Sequence, residues 1–222
     1  MIGRATLTTA AGGLRLERVY STVRPSASFN ASGMGSTRFA PLLDDAEHPV
    51  EHLYAASRRT VALLETVFHD VHEDVPRIVY EATDLGARGL VGVTVQHDLR
   101  VVDLRDSALA ALGLQRRDLV ATAAAHYPCT REWAAALRHG MFCGEQAAGL
   151  LWHSRVAELA REDSHLLDDL LHGEPAEVLL LWGDRAGAGS IVQAGPPLDD
   201  LVSGPGRLLV DQVATQLDAE IH

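Results

Sequence analysis

Apolar and polar residues alternate from Leu14 to Tyr20, which predicts a strand with Leu14, Leu16, Arg18 and Tyr20 on one face. Residues 26–35 form a polar loop rich in Gly and Ser. A short strand at 53–56 follows. Ser57 then stands where a helix cap would, with Val61, Leu64, Phe68 and Val71 at helical spacing out to about His72. Residues 77–82 and 90–96 are rich in β-formers. His97-Asp98 reads as a turn into a strand at 100–104. Helices are predicted from Asp106 toward Leu112, from Arg117, and from Thr130 as cap through Leu137 to His139. A short buried strand at 149–152 ends at His153-Ser154. A helix at 163–172 and a strand at 177–182 come next. Beyond Gly183 the chain is broken by Gly and Pro, with a strand at 190–193 and a terminal helix from about Leu208. Strands and helices mix without strict βαβ alternation, so the expected fold class is α+β, with mixed or antiparallel sheets and flanking helices.

The 222 residues suit one large domain or two small ones. With no repeat or low-complexity tract, the expectation is a single domain over 1–222. Net charge is −11, and all 19 basic residues are Arg. The lack of Lys excludes Schiff-base chemistry, a pyridoxal phosphate anchor and the lysine of a phosphate-binding P-loop. The acidic balance argues against broad binding to nucleic acid or an anionic membrane. Cys129 and Cys143 are too few and too far apart for a redox pair or a cysteine zinc site. No signal-peptide core or membrane-length apolar run is present, so a cytoplasmic protein is expected. The Arg- and Ala-rich, Lys-free composition suggests a GC-rich bacterial genome.

Several residues could carry chemistry. His48-Pro49-Val50-Glu51-His52 fits a zinc-protease pattern on paper, but a Pro inside it and a strand after it favour a polar loop and no metal. His69 and His72 have no evident third ligand. Glu65 lies at the border of its helix's apolar stripe, where a carboxylate loses water and wants a partner such as Arg58 or Arg59, or a substrate. Arg18 sits on an otherwise apolar strand face and must be paired or hold an anion. Arg38 follows Gly33-Met34-Gly35-Ser36-Thr37, a flexible segment able to approach a phosphate. Ser154 ends a buried strand, where it could serve a cleft or cap a turn.

In order, Arg18-Val19-Tyr20, Ser36-Thr37-Arg38-Phe39-Ala40-Pro41, Leu53-Tyr54-Ala55-Ala56, Ala62-Leu63-Leu64-Glu65-Thr66, Leu99-Arg100-Val101-Val102-Asp103-Leu104, Trp133-Ala134 and Gly149-Leu150-Leu151-Trp152-His153-Ser154-Arg155 resemble the RES domain family. The resemblance spans about residues 14–183. Residues 184–222 are a C-terminal extension without a counterpart, expected to pack on the same domain. The stretch between Glu65 and Ser154 looks long for the family, and RFAP at Arg38 differs from a Trp-Asn form also seen in it.

The resemblance implies an ADP-ribosyltransferase-like fold and the toxin half of a RES–Xre toxin–antitoxin pair that depletes NAD⁺ by hydrolysis or phosphorolysis. It puts the family's catalytic groups on Glu65, Arg38 and Tyr54, and NAD⁺ contacts on Arg18, Tyr20, Arg38, Tyr54 and Ser154. No cofactor is implied, since NAD⁺ is the substrate and inorganic phosphate a candidate co-substrate. The implied partner is an Xre-type antitoxin, and a homodimer is compatible with the resemblance. The chemistry is coherent: positive charge develops on ribose as neutral nicotinamide leaves, a carboxylate stabilises it, and guanidinium groups grip pyrophosphate. Tyr54 could stack on nicotinamide, and Ser154 could bond the ribose or the amide. Three alternatives remain: an ADP-ribosyltransferase acting on a macromolecule, a catalytically silent nucleotide- or partner-binding RES-fold protein, and a zinc hydrolase at His48, Glu51 and His52.

Overall fold

The apolar run at 178–182 forms the middle of the molecule. In the computed structural model, which describes residues 4–69, 77–157 and 175–222, this run lies in strand β8 (Glu177–Trp182). Leu179 and Leu181 face one apolar layer with Leu53, Ala55, Val91 and Val93. Val178, Leu180 and Trp182 face a second layer with Val61, Leu64, Leu137 and Trp152. A strand covered on both faces needs no polar positions, which is why this segment does not alternate.

Around β8 lie β1 (Leu7–Ala10), β2 (Arg15–Ser21), β3 (His52–Ala56), β5 (Arg88–Val95), β6 (Leu99–Asp103), β7 (Gly149–His153) and β9 (Ile191–Gln193), in the order β1-β6-β7-β8-β3-β2-β5-β9. Only the β6–β7 pairing in this sheet is parallel; the rest are antiparallel. Strand β4 (Arg77–Val79) pairs separately, in parallel, with β10 (Ala219–Ile221). Helices α1 (Arg59–Leu64), α2 (Asp106–Ala111), α3 (Arg116–Leu119), α4 (Tyr127–His139), α5 (Gly183–Ala186) and α6 (Gly204–Leu217) flank the sheets. The architecture is mixed α+β, as the pattern of elements predicts.

One weak seam places the site. Strand β2 pairs with β5 along its whole length, but meets β3 at a single position, Glu17 opposite Ala56. Beyond that pair the two strands diverge, and a cavity of about 690 Å³ opens between them. Val210, Val213 and Leu217 of α6 are buried in the larger apolar layer, so the C-terminal residues share its core.

Several local expectations are corrected. Helix α1 is one and a half turns long and ends at Leu64, not near His72, and Ser57 does not cap it. Ser57 Oγ instead accepts from Glu177 N at 3.1 Å and donates to Pro175 O at 3.3 Å, tying β3 to β8. The helical periodicity continues past Leu64 because Val67 and Phe68 are buried by irregular turns whose amides share the Leu63 carbonyl. The region 77–82 is strand only to Val79, then enters a π-helical turn at 81–85. Helix α4 starts three residues before Thr130, with Pro128 in its first turn, a position where the missing N–H costs nothing. Helix α6 likewise starts early, at Gly204, with Pro205 in its first turn. Strands β1 and β10 were not predicted. Val71, His72 and the helix expected at 163–172 lie outside the described residues.

Candidate active site

The seam between β2 and β3 sets the site's two walls. On one side, α1 carries Glu65 just past its last turn, at the helix C-cap. Strand β7 brings Ser154 beside it from 89 positions away: Ser154 Oγ donates to Glu65 Oε1 at 2.6 Å and accepts from Ala157 N at 3.0 Å. Ser154 is fully buried. It caps the turn at Ala157 and holds Glu65, but it does not itself line the cavity. The Glu65 carboxyl is pushed above its ordinary range by burial. The Ser154 hydrogen bond and the charges of Arg38, His69 and Arg155 oppose this without cancelling it. Arg59, one of the two arginines offered as its partner, pairs with Glu17 at 3.4 Å.

Arg38 reaches the same centre from the glycine loop. Its Nη1 donates to Thr122 O at 2.8 Å and to Thr122 Oγ1 at 2.5 Å, and its guanidinium lies 5.2 Å from the centre of the Tyr127 ring. Burial lowers its basicity, and nearby Tyr127 and Glu65 partly restore it. A guanidinium does not lose its proton at neutral pH, so Arg38 stays cationic. Tyr54 also faces the cavity, and its ring packs edge-on against Trp152 at 6.1 Å. Its hydroxyl is engaged with Thr37 Oγ1 at 2.8 Å and accepts from Phe39 N at 3.3 Å. Tyr54 thus anchors the loop that carries Arg38, a role the sequence did not suggest. Burial raises its phenol far above the ordinary value, so it remains a neutral hydroxyl.

Arg18 and Tyr20 line the cavity from β2. Arg18 Nη1 donates to Ser26 O at 3.1 Å and Ser28 O at 2.6 Å, and burial with nearby Arg24 lowers its pKa to about 10. An inward arginine met by two carbonyls in this way stays charged at neutral pH. Tyr20 donates to Asp199, and its phenol is pushed up to about 12, first by burial and then by that carboxylate. The structure therefore pairs Glu65 with Ser154, sets Arg38 and Tyr54 within electrostatic reach of Glu65, and places Arg18 and Tyr20 on the other wall.

Sequence reasoning passed over Arg155, Thr122 and Tyr127, which also line the cavity. Arg155 had a signal, adjacent to Ser154 at the end of a motif. Thr122 and Tyr127 had none. The zinc pattern comes apart: His48 sits on an exposed loop near Asp44 at 3.7 Å, while His52 is buried in β3. Among the described residues no group of three His, Cys, Asp or Glu could hold a metal, and both cysteines are free and exposed. No helix among them is long and apolar enough to cross a membrane.

A curled mixed sheet, split at one seam, with a hydrogen-bonded Glu–Ser pair on one wall and Arg38 and Arg18 lining the opening, defines an α+β protein with a cleft of small-molecule size. Comparison with known proteins gives the family. The RES domain model matches residues 15–179, and the chain belongs to that family. Among solved structures, a chain of the crystal structure of the M. tuberculosis MbcT–MbcA toxin–antitoxin complex aligns with a TM-score of 0.57 and 17% identity, over 95% of this chain and 93% of that one. At that identity the likeness is one of fold. No curated protein matches the chain.

Proposed function

We propose that this protein is an NAD⁺-cleaving toxin of a bacterial toxin–antitoxin pair, breaking the nicotinamide–ribose bond by hydrolysis or phosphorolysis. One observation carries the reading: a desolvated carboxyl, Glu65, is held by Ser154 within the electrostatic reach of Arg38 and Arg155 in a cavity of small-molecule size. Family membership and the shared fold with a chain of a toxin–antitoxin complex support it.

In the proposed reaction the C1′–N bond breaks, and its electron pair goes to the nicotinamide nitrogen, which leaves neutral. Positive charge builds on the ribose beside Glu65, whose carboxylate stabilises it strongly because water is excluded. The oxygen of water or phosphate then bonds to C1′, and its proton passes to Glu65. Arg38, through the guanidinium edge not used by Thr122, and Arg18 grip the pyrophosphate. The antitoxin partner, of Xre type, would silence the enzyme by occupying the cleft.

The test is nicotinamide release from NAD⁺ by the purified chain, with and without phosphate. Wild type should release it, and Glu65→Ala should lose at least about 10²–10³ in rate, the usual cost of one electrostatic contact to the transition state. ADP-ribose-1″-phosphate as product would identify phosphorolysis. Release undiminished in Glu65→Ala, or no release by folded wild type, would refute the proposal.

A further inference from the structure

Arg38 is gripped from both ends by a segment that none of the sequence motifs covers. At the backbone end, Thr130 Oγ1 donates to the Arg38 carbonyl oxygen. At the guanidinium end, Nη1 is held by both oxygens of Thr122, and the Tyr127 ring lies beneath. Next to it, Arg131 Nη1 donates to Ser36 Oγ at 3.1 Å, tying down the same loop two residues earlier. Thr122 is itself buried. Both side-chain bonds of Arg38 to Thr122 use Nη1 and leave its Nε–Nη2 edge to the cavity.

We infer that Thr122 is a positioning residue for Arg38: it holds Nη1 so that the Nε–Nη2 edge faces the cavity as a fixed two-pronged donor for the paired oxygens of a pyrophosphate. The physical reason is entropic and electrostatic. A free arginine loses much rotamer freedom when it binds an anion, and one already held in place loses little. A donor pair set in a plane also matches two phosphate oxygens better than a mobile cation does. The segment 122–131, which runs from just past α3 into the first turns of α4, is thereby part of the ligand site, although Thr122 itself need not touch the ligand. This rests on the proposed NAD⁺ reading and adds to it the requirement that the long stretch between Glu65 and Ser154 builds the phosphate-binding edge.

The experiment compares wild type, Thr122→Val and Thr122→Ser by calorimetric titration with ADP-ribose, which carries the pyrophosphate without the scissile bond, and by KM and kcat for NAD⁺. Valine keeps the shape and the backbone carbonyl and removes only the hydroxyl acceptor. Thr122→Val should weaken ADP-ribose binding and raise KM about tenfold, as expected for one hydrogen bond to a charged group, with kcat nearly kept. Thr122→Ser should restore both. Thr122→Val with wild-type affinity, equal loss in Val and Ser, or a fall in kcat alone would overturn the inference. Wild type that binds ADP-ribose but releases no nicotinamide would refute the cleavage reading while leaving the affinity comparison to decide on Thr122. Wild type that neither binds nor cleaves would overturn both.

Discussion

Replacing Ser154 with Ala separates the charge state of Glu65 from the rest of the site. Ser154 Oγ–H donates to Glu65 Oε1 at 2.6 Å, and the same oxygen receives the Ala157 amide. A hydrogen bond to an ionised group is worth about 1.5–3 kcal/mol. That energy is lost only by the charged form of the carboxyl, so Ser154→Ala moves Glu65 further in the direction burial already pushes it, upward. The proposed reaction needs the carboxylate, so the acidic limb of the rate profile shifts to higher pH. On that limb the variant has about 10- to 150-fold less ionised Glu65 and is slower by the same factor. At alkaline pH the carboxyl is ionised in both proteins and the gap narrows. The loss of the acceptor for Ala157 N costs about 1 kcal/mol of stability at every pH, which a melting curve detects separately. The assay is nicotinamide release across the pH range in which both proteins stay folded. A rate ratio constant with pH would show that Ser154 acts by another route, and superimposable profiles would show that it does not act on Glu65 at all.

Two further perturbations test the scaffold. Asp103 is half-buried at the end of β6, which alone would raise its pKa, but its bonds to Arg105 Nη2 at 2.8 Å and Nε at 2.9 Å hold it below the ordinary carboxylate range. Its stabilising effect is therefore complete above the unfolded value of about 3.9 and disappears as pH falls through the lower folded value. Asp103→Asn should cost about 1 kcal/mol at neutral pH after allowance for solvent screening, and nothing at the acid end, as read from urea midpoints; a difference that persists in strong acid would contradict the pairing. Gly149 in β7 has no room for a side chain, since a Cβ there would lie 1.9 Å from Leu180 O of the neighbouring strand. Gly149→Ala should cost about 3 kcal/mol in chemical denaturation, and an unchanged midpoint would refute so close an approach.

Much of the sheet was readable residue by residue. Strand β2 announced its buried face through Leu16, Arg18 and Tyr20, and β8 was legible as a strand, while its burial on both faces emerged from the structure. These signals are local, because side-chain direction in a strand is fixed by its two-residue period. The misses have local reasons too. Helix α1 was overextended because buried turns at 65–68 keep an apolar periodicity without helical hydrogen bonds. Strands β1 and β10 carry three or four residues each, and only their neighbours show that they are strands.

The sequence by itself determined the mixed α+β class, the absence of lysine chemistry, and a short list of candidate residues: Arg18, Arg38, Glu65 and Ser154 from their type and immediate neighbours, and Tyr54 from the family resemblance. Which of them meet was decided by tertiary structure alone. Ser154 finds Glu65 across 89 positions and Arg38 finds Thr122 across 84. Sequence spacing carries no information about such pairs, because the order in which β7, β8 and β3 assemble, and the seam left between β3 and β2, fix the distance between them. The charge state of Glu65 belongs to the same category: it depends on how much water the finished fold excludes, and no stretch of chain around Glu65 specifies that.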